Sequence, residues 1–279
     1  MYLRTYIPPP PRDQHVELMA FYRGYMPQGT LEQLMPDGAV ELLISLDEIE
    51  RRFYDDAQRH ERARVRKTWV MGIQQRTFFA NADVNSSLFS IKFKSGGSFP
   101  FLGVPLSELN DQFVDGSLLL GTAVSSLREQ MLNAPQDETL FGLAEQFLRH
   151  RLMQHEATQA VSTHVVTQLA AFTGQPQIKD LAQHVGYSQK QLIQIFKKYV
   201  GVRPKYFQRL ERFKQALGHI YESGDQNWAQ LSTALGFYDQ AHLINEFKHF
   251  SGHTPRAYVR QRGEFINFLP IDEPPDENG

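Results

Sequence analysis

The sequence predicts an α+β chain with a strand-rich first half and an all-helical second half. Three observations carry that prediction. Between residues 16 and 104, apolar residues alternate or run in short blocks bounded by turn signals, as strands do. From residue 105 the apolar spacing lengthens toward three and four, the period of a helix. Residues 177–260 contain one pattern twice, and such a repeat outranks any single motif because chance rarely aligns so many positions.

In chain order, Pro8-Pro9-Pro10-Pro11 reads as an extended polyproline tether. Pro36-Asp37-Gly38 signals a turn ahead of a strand at 40–46, with further strands at 68–73 and 87–93. Residues 51–67 carry Arg or Lys at seven positions, diluted by Asp55, Asp56 and Glu61. They read as an exposed hairpin loop, with a nucleic-acid patch as the competing reading. A helical stretch then runs from Pro105 to His150, with Ser107 as its cap candidate. Within it, a helix from Asp137 places Leu140, Leu143, Ala144, Phe147 and Leu148 on one stripe and ends in Arg149, His150 and Arg151, charges suited to a helix C-terminus. Strands followed by helices argue for a small barrel or curled sheet with helices to one side.

The repeat aligns Leu181, Val185, Gly186 and Tyr187 with Leu231, Leu235, Gly236 and Phe237. It then aligns Leu192, Phe196, Lys197, Gly201, Pro204 and Arg209 with Leu243, Phe247, Lys248, Gly252, Pro255 and Arg260. The offset is 50 before the turn and 51 after it, so the second copy holds one extra residue there. Each copy reads as helix–turn–helix. Gly186 and Gly236 stand where a helix ends in a left-handed residue, and Ser188 and Asp239 can cap the next helix, Gln191 completing a capping box. Leu192, Ile195, Phe196 and Tyr199 form the apolar stripe of the second helix, opposite Gln189, Lys190, Gln194, Lys197 and Lys198. The equivalent helix turns Leu243, Phe247 and Phe250 inward and Gln240, His242, Asn245 and Lys248 outward. Such outer faces are either solvated helix surface or readers of base edges in a major groove. Residues 175–262 hold 13 Lys and Arg against 6 Asp and Glu, a net +7, in a chain of net charge −2. That contrast is the electrostatic footprint of phosphate binding, and with two copies in tandem it favours DNA.

Length suggests two domains. With no cysteine, the chain excludes disulfides, thiolate metal sites and cysteine nucleophiles. No run of 18 apolar residues exists, so no membrane helix and a cytoplasmic location are expected. Metal-dependent barrels of this size bring about three His and a carboxylate to one ion, whereas only His15 and His60 precede residue 150. No phosphate loop, nucleophile elbow or HExxH pattern occurs. The expectation is a chain that is not an enzyme and holds neither metal nor cofactor.

The pattern L-A-x-x-V-G-Y-S…L-x-x-x-F-K-K-x-x-G-V-x-P, with A-L-G-F-x-D-Q-A-H-L-x-x-x-F-K-x-F-x-G-x-T-P-x-x-Y in the second copy, resembles the AraC/XylS family of bacterial transcriptional regulators over about residues 156–262. The resemblance implies two helix–turn–helix units joined by a long helix, which fits residues 204–222. It departs at Arg203, where a capping Ser or Thr is usual; Thr254 keeps the cap in copy two. The family's base-reading positions fall on Lys190, Ile193 and Gln194, and on Gln240, His242, Ile244 and Asn245. Phosphate contacts fall on Ser188, Gln189, Lys197, Lys198, Lys205, Lys248 and Arg256. Ile193 and Ile244 lie off the apolar stripe, where they touch thymine methyls or pack on a neighbouring helix. In the first half, Met35-Pro-Asp-Gly-Ala-Val-Glu-Leu42, Met71-Gly-Ile-Gln-Gln and Ile91-Lys-Phe-Lys-Ser-Gly-Gly look like the cupin-like sensor domain of one branch of these regulators.

The expected architecture is therefore a small cupin-like β-barrel with flanking helices over 1–153, a tandem helix–turn–helix domain over 154–265, and a tail over 266–279; the apolar Phe265-Ile-Asn-Phe-Leu-Pro270 is expected to pack back on a domain, and the acidic end can compete with DNA for the basic face. The expected function is a sequence-specific transcriptional regulator, an activator, with double-stranded DNA, RNA polymerase, a small-molecule effector and a second copy as partners. An effector would sit among Phe79, Phe89, Phe93, Phe99 and Phe101, unless these aromatics simply fill the barrel. The alternatives are an enzyme-like cupin fused to a DNA-binding module and a passive DNA binder.

Overall fold

A computed structural model describes residues 1–10, 12–153, 178–184, 186–224 and 227–271. The acidic end expected over 272–279 lies outside the described residues, as do 154–177. Two antiparallel sheets make up the first half. One has the order β1 (Tyr2–Tyr6), β2 (Val16–Arg23), β9 (Ser87–Phe93), β4 (Val40–Ser45), β7 (Thr68–Met71), β10 (Phe113–Asp115). The other has the order β11 (Phe268–Ile271), β3 (Leu31–Leu34), β8 (Phe78–Asn81), β5 (Arg51–Tyr54), β6 (Glu61–Val65). The three predicted strands are present as β4, β7 and β9.

Side-chain alternation gives the first sheet two different faces. Val40, Leu42 and Ile44 of β4, Val70 of β7, Met19 and Phe21 of β2, and Phe89, Ile91 and Phe93 of β9 belong to one large core. That core is shared with α1 (Phe99–Leu102), α3 (Thr122–Leu132) and α4 (Asp137–Met153). The opposite face turns toward the second sheet, where Phe53, Trp69, Phe78 and Leu88 form a smaller core.

Several expectations are corrected. Residues 2–6, without a strand signal of their own, form an edge strand on β2; backbone pairing supplies what their polar alternation lacks. The charged stretch 51–67 is a strand hairpin, β5 on β6, rather than a loop. Arg51 within it is buried and meets the Asp47 carboxylate at 2.7 Å. Ser107 does not cap a helix: residues 106–108 make one 3-10 turn and 113–115 add β10 to the edge of β7. Asp115 is the cap instead, accepting from the Ser117 N–H at 2.7 Å to start α2 (Gly116–Leu120).

The second half is helical: α5 (Ile178–His184), α6 (Gln189–Tyr199), α7 (Pro204–Ser223), α8 (Trp228–Ala234), α9 (Gln240–Ser251) and α10 (Pro255–Gln261). Gly186 and Gly236 have φ near +70°, the left-handed turn that a Cβ would penalise. The Ser188–Gln191 capping box forms, Asp239 caps α9, and Thr254 caps α10. Arg203 supplies no side-chain cap to α7.

The cores do not respect the domain division. Leu192, Phe196, Tyr199 and Val202 of the first helix–turn–helix unit join the large core of the first half. The second unit packs around Phe213, Leu217, Phe247 and Phe250 in a core that takes in Met35 from the first half and Leu269 from β11.

Candidate nucleic-acid interface and inter-sheet cavity

Capping and packing leave the outer face of each second helix in solvent. Lys190 and Gln194 on α6, and Gln240, Asn245 and Lys248 on α9, are all exposed. Ser188, Gln189, Lys205 and Arg256 are exposed too, and Lys205 and Arg256 occupy equivalent places one residue after Pro204 and Pro255. Lys197 is partly buried. Lys198 is exposed but sits over two rings, 5.7 Å from the centre of Phe99 and 5.1 Å from that of Tyr199. Its ammonium therefore braces α6 against the first half, which competes with a phosphate contact.

His242 is tied into its turn. Its Nδ1 accepts from the Tyr238 N–H at 3.2 Å while its own backbone N–H reaches Asp239 at 2.7 Å. A ring that accepts at Nδ1 carries its proton on Nε2, which leaves an N–H donor on the side away from the turn. The two isoleucines differ. Ile244 packs against the core of the second unit, so its outward placement is corrected, whereas Ile193 is partly buried and belongs to none of the three cores. Tyr238, 92% exposed, was not anticipated. It is the extra residue of the second turn, so the register jump from 50 to 51 was its signal.

Both units dock on the first half through specific polar contacts. Asn110 donates to the Gly201 carbonyl at 2.7 Å, and Tyr206 donates to the Gln75 carbonyl at 3.0 Å. Gln33 donates through Nε2 to the Ser251 carbonyl at 2.8 Å, and its Oε1 lies 2.7 Å from His253 Nε2. The first bond orients the amide, so Oε1 accepts from His253. Burial lowers the His253 pKa, in keeping with a neutral ring.

Between the two sheets lies a cavity of about 460 Å³. Its apolar lining includes Leu18, Leu43, Met71, Phe78 and Leu88; by strand register Tyr22 and Leu88 lie toward one end, and Leu18, Lys92, Glu41 and Met71 toward the other. Residues 265–268, which follow α10 of the second unit, form part of the wall. The five phenylalanines expected to hold an effector do not line it. Phe89 and Phe93 stand on the opposite face of β9, Phe99 and Phe101 belong to the same large core, and Phe79 has the opposite parity to Phe78, which does face the cavity. A uniformly apolar face packs dry against helices; the mixed face, with Ser90 and Lys92 among its members, is the one left around a void.

The electrostatics at the two ends differ. Burial favours a higher pKa for Asp47, yet hydrogen bonds from Arg51, the Ser87 N–H and Ser45 hold it down at about 2. Burial pushes the Tyr22 hydroxyl up to about 12, and Tyr25 donates to Glu32 in a short hydrogen bond. At the other end Lys92 meets Asp37 at 2.7 Å and Glu17 at 3.4 Å. Burial opposes its charge, but Asp37, Glu41 and Glu17 raise its pKa. Burial, and then Asp37, pushes Glu41 up to about 7.

Two sheets carry a docked pair of helix–turn–helix units, whose second helices expose polar and basic side chains of the kind that read DNA. Residues 181–261 match the helix-turn-helix domain model, and residues 4–115 match a domain of unknown function (DUF6597). The helix-turn-helix match spans both second helices, the elements that enter DNA grooves in such domains. No curated protein matches it. Among solved structures, it is similar to ToxT from Vibrio cholerae, at 12% identity over 92% of this chain and 98% of that one, with a TM-score of 0.46. Unsaturated fatty acid bound ToxT matches at 10% identity over 86% and 94%, TM-score 0.46. A transcriptional regulator with an AraC-type DNA-binding domain from Chromobacterium violaceum matches at 27% identity over 38% of this chain and all of that one, TM-score 0.32. Among the described residues no helix is long and apolar enough to cross a membrane.

Proposed function

We propose that this regulator reads DNA with α6 and α9 and that a small effector in the inter-sheet cavity controls how the two helices are presented. Lys190, Gln194, Gln240, Asn245 and His242 Nε2 would read base edges. Ser188, Gln189, Lys197, Lys205, Lys248 and Arg256 would hold phosphates. The observation that carries the control is the wall formed by 265–268, since a molecule in the cavity would touch the segment that leaves the second DNA-reading unit. Control requires different affinity for the two arrangements, and β11 supplies an element that can be paired or unpaired. The working division remains 1–153 and 154–265, with the last segment returning to the first half. RNA polymerase and a second copy are further partners of this reading, which favours a regulator over an enzyme.

Selection of bound fragments from random DNA, followed by titration of the selected site with and without cell extract metabolites, tests both parts. Absence of any preferred sequence removes the reading role, and affinity indifferent to every small-molecule fraction removes the effector.

A further inference from the structure

We propose that the cavity takes an amphipathic ligand with a cationic, amine-type head, seated by Glu41, and an apolar body lying along Leu43 and Leu88. This rests on the reading of the cavity as the effector site. The inference starts from charge pairing. The cavity's two basic side chains are both already engaged: Arg51 by Asp47 in a two-pronged contact at 2.7 and 2.8 Å, and Lys92 by Asp37 and Glu17. A carboxylate head would have to displace a protein carboxylate from one of them.

The acidic groups are in the opposite position. Glu41 and Lys92 are direct cross-strand partners on β4 and β9, so one ammonium serves three carboxylates: Glu41, Asp37 and Glu17. Glu41 lines the cavity, and its carboxylate makes no hydrogen bond or ion pair among the described residues, Lys92 being in contact with Asp37 and Glu17 instead. Burial, and then the neighbouring Asp37, raise its pKa against the pull of Lys92.

A second observation is independent of the carboxylates. Gln74 is buried and lines the cavity. Its Nε2 donates to the Gly72 carbonyl at 2.8 Å, which orients the amide and leaves Oε1 as an acceptor. That oxygen has no partner among the described residues. Further along, the Trp69 indole N–H is buried and also lacks an acceptor among the described residues. Buried polar atoms are nearly always satisfied. An ammonium donating to Glu41 would satisfy that carboxylate, with the Gln74 amide in the same cavity lining as a further acceptor. The volume suits a small ligand.

The test uses the full-length protein and three probes of equal length: octylamine, octanoate and 1-octanol. Calorimetric titration reads their affinities, and a shift in affinity for the selected DNA reads the effector role. Octylamine should bind about tenfold more tightly than the other two, as expected for one charge-assisted contact. Glu41→Gln should remove that preference while leaving octanol unchanged, and Ala20→Phe, which fills the cavity, should weaken all three. Octanoate or octanol binding as well as octylamine, with DNA affinity shifted, overturns the cationic class and leaves the effector reading standing. Octylamine binding in the cavity without a shift in DNA affinity leaves the cationic site standing and overturns the effector role. Failure of all three to bind, or amine binding untouched by both substitutions, overturns both.

Discussion

At the scale of single residues, the proposed DNA face divides into readers and anchors, and the two kinds predict different phenotypes. Lys190 is exposed on α6. Lys190→Ala should relax preference at one base step, costing about 1–3 kcal/mol there, in a panel of single-base operator variants. Lys205→Ala should weaken all sequences alike and lower the salt slope by about one. Uniform scaling in both variants would show that the roles are misassigned. Tyr238 stands almost fully in solvent at the second turn; Tyr238→Ala should weaken DNA binding about threefold or more if its hydroxyl meets a phosphate or sugar. In the cavity, Glu41 predicts a stability effect. A carboxylate whose folded pKa is raised binds its proton more tightly in the folded state, so stability falls as pH rises from the ordinary carboxylate range to about 7 and is flat above. Asp37 and Glu17 add to the penalty, while Lys92 opposes it. Glu41→Gln should therefore raise the melting temperature at pH 8 by roughly 2–6 °C, with little gain at pH 4.5. An equal shift at both pH values would show that the gain is not electrostatic.

At the scale of elements, β11 is the piece that joins the halves. It pairs with β3, and the Met35 N–H donates to the Asn267 carbonyl at 3.0 Å. Gly29 permits this approach: a Cβ there would lie 2.7 Å from the Ile271 carbonyl oxygen. Gly29→Val should push β11 off the sheet edge without touching either DNA face. Faster tryptic cleavage at Arg262, followed by mass spectrometry, should register the release, and an unchanged cleavage rate would mean that the strand tolerates the side chain. Helix boundaries in the second half were legible because their signals are local. Ser188, Asp239, Gly186, Gly236, Pro204 and Pro255 each act on backbone within four residues. The edge strands β1, β10 and β11 were not, because their pairing comes from neighbours far away in sequence and their own patterns are weak.

At the scale of the whole molecule, each DNA-reading unit rests on the first half through its own core and its own polar contacts. The first unit shares the large core, while the second is held by Gln33 to Ser251 and His253. Gln33→Ala should free the second unit alone. Binding to operators with base pairs inserted between half-sites should then become more tolerant of spacing than wild type, for which two units in successive major grooves would prefer about 10 base pairs. Identical spacing profiles would show that the Gln33 contacts do not restrain the unit. The sequence by itself determined the duplicated helix–turn–helix pattern, its caps and turns, and which side chains look outward, because helix periodicity and capping are properties of short stretches. Only the tertiary structure decided which face of β9 meets the cavity, that Glu41 and Gln74 both line it, and that residues 265–271 return to close it. Alternation divides a strand into two faces but does not say what covers each; that depends on α1, α3 and α4 taking the apolar side and leaving the mixed side around the void.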